Sequence, residues 1–183
     1  MKILRLDINS SYSHSSVAME PHELKTAMDI SRMIDFYYNA PAWQEITRML
    51  IQSYETFITD FTGYLKEAMV LDSPLSQERR GVLLYNYIKE NHPERVTDVS
   101  IAWIQAGHSL KKEPAGYIVK IKDLESYLAE NQAQMSIRYG TADPSHRYFL
   151  LTSDGRRFIF GYDSQLHKPE PTYMADVHGG QNP

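Results

Sequence analysis

Between Pro21 and Gly107 the apolar residues return every third or fourth position, and proline, serine or asparagine interrupts them at short intervals. That rhythm constrains the fold more than any other feature, because it suits a bundle of short amphipathic helices. Pro21 opens a first helix running to Asn39, with Leu24, Ala27, Met28, Ile34 and Tyr38 on or near one face. Pro41 starts a second, carrying Trp43, Ile46 and Leu50. Ser53 reads as the N-cap of a third, where Tyr54, Phe57, Ile58, Phe61, Leu65 and Ala68 form the clearest stripe. Ser73-Pro74 caps and starts a fourth with Leu84, Tyr87 and Ile88, which stops at Asn91-His92-Pro93. A fifth runs from Pro93 to Ala106 through Val96, Val99 and Trp103, and Gly107 suits its C-terminal cap.

Both flanks break this pattern. After Gly107 come a linker at Lys111-Lys112-Glu113-Pro114 and a short helix from Asp123 to Glu130. Two β-rich runs follow, residues 147–152 and 156–162, on either side of Asp154-Gly155, which is a strong hairpin signal. Met135 to Tyr139 is a candidate third strand, and the end from His178 to Pro183 is expected to fray. At the other end, residues 2–8 read as a strand running into a polar loop, Asn9 to Ser16, like the first turn of a parallel α/β domain. No further βα units follow it. The expected class is mainly α (α+β): a compact bundle of about five helices over 19–107, then a small β-hairpin module with its short helix over 108–183, packed on the bundle. Residues 1–18 stand apart.

Composition narrows the function. The chain has no cysteine, which removes disulfides, zinc knuckles, thiol catalysis and Cys-ligated iron–sulfur clusters. Its 42% hydrophobic content over 183 residues is enough for a real core. No run of 18 apolar residues supports a membrane span. The N-terminus lacks a small-residue cleavage site, so the expected compartment is the cytoplasm. Charge is uneven: residues 19–107 hold eight basic against thirteen acidic residues, and 108–183 hold nine of each. No segment is basic on the scale that nucleic-acid binding needs.

Candidate chemistry is sparse. Ser13-His14-Ser15-Ser16 lacks the elbow that would present a nucleophile, and reads as a capping loop. Seven histidines are scattered and never stand at helical ligand spacing. His92 and His108 fall at helix ends, where a cationic imidazole suits the dipole. Glu23, Asp29, Asp35, Glu45, Glu55 and Glu67 read as solvated helix faces. Gly63 and Gly81 are isolated within helices and form no phosphate loop. The densest feature is Phe36-Tyr37-Tyr38, with Trp43 close behind. Consecutive residues diverge by about 100° around a helix, so these rings cannot all face one core. Arg32, Tyr37, Tyr38 and Trp43 are therefore the candidate interaction surface, with core packing as the plainer alternative.

Two stretches resemble a known family. Residues 4–18, Leu4-Arg5-Leu6-Asp7-Ile8-Asn9-Ser10-Ser11-Tyr12-Ser13-His14-Ser15-Ser16-Val17-Ala18, resemble the opening of cobalamin-binding radical S-adenosylmethionine (radical SAM) enzymes. From about Met19 onward the chain resembles the C-terminal domain of one branch of that family. Leu24-Lys25, Ile30-Ser31-Arg32-Met33, Phe36-Tyr37-Tyr38-Asn39 and Arg79-Arg80-Gly81-Val82-Leu83-Leu84-Tyr85 carry that likeness. The family uses cobalamin, S-adenosylmethionine and a [4Fe–4S] cluster held by three cysteines in a partial TIM barrel. This chain has neither the cysteines nor the barrel, and the family's opening runs straight into its ending near Ala18-Met19. The resemblance implies that Asn9, Tyr12 and His14 match the loop lying beside the cobalamin in complete enzymes. It implies no catalytic residue and no metal site, and no cofactor is expected in this chain. The expected role is a non-catalytic accessory domain that packs against or regulates a radical SAM domain or chain. The alternative is a stand-alone protein-interaction module using the surface around Phe36–Trp43.

Overall fold

The computed structural model describes residues 20–153, 155–166 and 169–178, with Gln132 described by its backbone alone. The strand and loop expected over residues 1–18 lie outside them, as do Asp154 of the hairpin turn and residues 179–183.

Helix α1 (Pro21–Met33) begins where the sequence places it. Pro21 sits in the first turn, and Glu20 and Glu23 form a reciprocal capping box, the Glu20 N–H donating to the Glu23 carboxylate at 2.9 Å. The helix continues as a single π turn over Ile34–Tyr38, closed by the Asn39 N–H on the Ile34 carbonyl at 2.9 Å. The expected apolar face is corrected: Leu24 and Met28 are exposed, while Asp29, Met33 and Tyr37 are buried. The physical reason is the neighbour. Tyr37 meets Phe61 edge-on at 4.9 Å, and Lys66 comes within 3.9 Å of Asp29, so this is the side that faces the third helix.

Helices α2 (Gln44–Ser53), α3 (Phe57–Glu67), α4 (Gln77–Asn91) and α5 (Val96–Gln105) complete the bundle. Two starts move. Ser53 is the last residue of α2 rather than the cap of α3, because the ladder runs on to the Tyr54 N–H at 2.9 Å from the Leu50 carbonyl. Helix α4 is capped by Ser76 rather than Ser73; the Ser76 hydroxyl accepts from the Arg79 N–H at 3.2 Å. Most of each stripe holds, with Trp43, Leu50, Phe61, Leu65, Leu84, Ile88, Val99 and Trp103 fully buried. Ala68, however, is exposed beyond the end of α3, and Tyr54 precedes that helix half-buried. The end of α5 is closed by a paired turn in which Gly107 takes φ +74°. Its N–H reaches Ile104 O at 3.0 Å and that of His108 reaches Trp103 O at 3.3 Å.

The C-terminal module is larger than a hairpin. Strands β1 (Ile118–Ile121), β2 (Met135–Tyr139), β3 (Arg147–Ser153), β4 (Arg156–Tyr162) and β5 (Tyr173–Val177) form one antiparallel sheet in the order β1-β3-β4-β5-β2. The expected hairpin is β3–β4, with Gly155 at φ +72° in its turn. Helix α6 (Leu124–Asn131) lies between β1 and β2 in the chain, and Asp123 caps it by accepting from the Ser126 N–H at 3.0 Å. Strands β1 and β5 were not anticipated, because four and five residues are too few to establish a period of two.

The inner face of the sheet offers Leu151, Phe158, Phe160 and Met174 to the same core that holds Trp43, Phe61, Leu84 and Trp103. The outer face carries Tyr148, Leu150, Ile159, Tyr173, Ala175 and Val177, with Leu124 and Tyr127 of α6 packed on it. No helix among the described residues is long and apolar enough to cross a membrane.

Candidate functional site

The four residues of the expected interaction surface divide in two. Tyr37 and Trp43 are 0% exposed and are corrected from surface to core. The Tyr37 hydroxyl donates to the Arg80 carbonyl at 3.2 Å, and burial pushes that phenol well above its ordinary range. The Trp43 indole N–H donates to Gln77 Oε1 at 2.9 Å, and its ring stacks on His108 at 5.5 Å. Each apolar ring therefore hands its one polar atom to α4, which is how such side chains are buried without loss. Tyr38 and Arg32 stay half-buried. The Arg48 guanidinium lies over the Tyr38 ring at 5.2 Å, and Arg32 pairs with Asp72 and, at 3.9 Å, with Asp29. Asn9, Tyr12 and His14 lie outside the described residues.

The segment that buries Trp43 also builds the rim of a groove. Pro41 and Ala42 turn the chain into α2, whose Glu45 and Met49 face Ile101 and Gln105 of α5, and Arg138 of β2 lines the same groove. Its volume is about 320 Å³. Arg138 is held rigidly: its Nε and Nη2 bond the two oxygens of Asp176 at 2.7 and 2.9 Å, with the guanidinium 5.2 Å over the Phe158 ring. Asp98, also in the lining, bonds Arg156 at 2.9 Å and stands 3.5 Å from Arg95. The result is an apolar floor between helices with oriented charge of both signs at its edge. Such a groove accepts an apolar side chain flanked by polar ones; it does not present a nucleophile beside a base.

Much of the remaining polar chemistry ties one part of the fold to another. His92 stacks on Tyr54 at 3.8 Å between rings, and Tyr54 bonds Glu94. His146 approaches Thr172 at 3.4 Å and Asp163 at 3.8 Å. Lys112 pairs with Glu78, and Lys89 with Glu113 at 2.5 Å. Among the described residues no group of three or more histidines and carboxylates is placed to hold a metal ion. The chain has no cysteine and so offers no thiolate ligand to an iron–sulfur cluster. His108 departs from its sequence reading: burial lowers its imidazole pKa, opposed by Glu78 and aided by Lys112, so the neutral ring is favoured.

Arg138 and Asp98 were missed in the sequence. Each sits in an ordinary alternation or helical position, and only their convergence on one groove distinguishes them. Comparison with models of protein families, with curated proteins and with solved structures finds no match.

Proposed function

We propose that this chain is a non-catalytic accessory module, similar in role to the C-terminal domain of cobalamin-binding radical SAM enzymes, which packs against or regulates a radical domain that this chain does not itself contain. The observation that carries the reading is how the polar side chains are used. His92, His146 and most of the paired carboxylates described above join one element to another. The groove between α2 and α5, with Arg138 and Glu45 at its edge, faces outward. Tyr37 and Trp43 are buried and offer no surface, so the docking face of this proposal is the groove.

The test has two arms. Anaerobic incubation of the full chain with iron, sulfide and S-adenosylmethionine is expected to leave no stoichiometric cluster and to yield no cleavage of S-adenosylmethionine. Titration against a cobalamin-binding radical SAM enzyme chain from the same source is expected to give a defined complex. Met49→Asp in the groove should weaken that complex about tenfold or more, as a charge set into an apolar contact does. A bound cluster, turnover by the chain alone, or a complex indifferent to Met49→Asp would overturn the proposal.

A further inference from the structure

Strand β4 is the middle of the five-stranded sheet, and its residues 157–161 are all buried. One of them is charged. Arg157 is 6% exposed and stands on the outer face, in register with Thr152 of β3 and Val177 of β5. Its guanidinium makes no ion pair and no hydrogen bond among the described residues, and Nη2 is sealed from solvent without a partner. The hydroxyl of Tyr127, on α6, is in the same condition.

Both side chains line one cleft, about 530 Å³, between β1, α6 and β4. Val119, Ile121 and Leu150 give it apolar walls, and the exposed Lys120 and Lys122 stand at its border. Of the acids in the lining, Asp123 is engaged with the Ser126 N–H and hydroxyl, and Glu130 is exposed and forms no ion pair with Arg157. A guanidinium taken out of water without a counter-charge is costly, and so is a hydroxyl without a partner. Both groups have hydrogens to donate. A carboxylate only accepts, at two oxygens, and satisfies a guanidinium and a phenol together.

We propose that this cleft binds the carboxylate of a small amphipathic acid. Arg157 and Tyr127 hold the head, and Val119, Ile121 and Leu150 hold the apolar stem. This site is separate from the α2–α5 groove and does not depend on the accessory role.

The experiment is thermal melting of the full chain in hexanoate, hexanamide, inorganic phosphate or chloride at matched ionic strength. Hexanoate is expected to raise the melting temperature saturably, since a ligand that binds only the folded state stabilises it by mass action. Hexanamide, phosphate and chloride are expected not to. Arg157→Met should abolish the hexanoate response. Should that variant fail to fold, Tyr127→Phe decides: it removes one hydroxyl and should weaken hexanoate binding about fivefold or more. No hexanoate response, an equal response to phosphate or hexanamide, or an undiminished response in Tyr127→Phe would overturn the proposal.

Discussion

His108 shows how one residue's surroundings reverse what its position suggests. The turn at Gly107 swings its ring against Trp43, 5.5 Å away, and Trp103, 4.6 Å away. Its Nε2 is buried with no partner. Burial favours the neutral imidazole, so the folded chain resists a proton that the unfolded chain accepts near the ordinary histidine pKa of about 6.5. The stabilising preference is therefore present above about pH 6.5 and is lost as the pH falls through the depressed folded value. Urea midpoints measured between pH 7.5 and 5.5 should decline for the wild type and decline less for His108→Gln. Equal slopes would assign the pH dependence elsewhere. From the sequence this residue was readable as the end of a helix, and its two indole neighbours were not.

At the scale of elements, two glycines that look alike in the sequence do opposite things. Gly81 on α4 is the point where α2 and α5 close in. A Cβ there would lie 2.5 Å from Trp43 Cη2 and 2.8 Å from Trp103 Cε3. Neither indole has room to retreat, since both are 0% exposed. Gly63 on α3 has nothing within 4 Å of the same position. Gly81→Ala should therefore destabilise the fold by about 1–3 kcal/mol, the usual cost of overpacking a core. Gly63→Ala should stabilise it by about 0.5–1 kcal/mol through helix propensity alone. Urea unfolding of the two variants beside the wild type measures both. Periodicity located α3 and α4 and their buried stripes, but it is blind to a missing side chain. The same limit displaced the face of α1: Leu24 and Met28 keep the period as well as Met33 and Tyr37 do, and only the place of α3 chooses between them.

Among the described residues the larger of two apolar clusters runs from the helices into the inner face of the sheet, so bundle and sheet should unfold together. Fluorescence of Trp43 and Trp103, which reports on the helices, should give the same denaturation midpoint as global hydrogen exchange of the β4 amides. Separate midpoints would mean two independent units. The sequence by itself determined the five bundle helices, the hairpin about Asp154-Gly155, the third strand at Met135–Tyr139 and the mixed class, because each rests on short-range spacing. Only the tertiary structure decided that β1 and β5 complete a five-stranded sheet, that Tyr37 and Trp43 are core rather than surface, and that Arg157 and Tyr127 share a cleft. Those outcomes depend on which elements become neighbours. A strand edge, a helix face or a buried cation acquires its meaning from groups distant in the chain, and local periodicity carries no information about them.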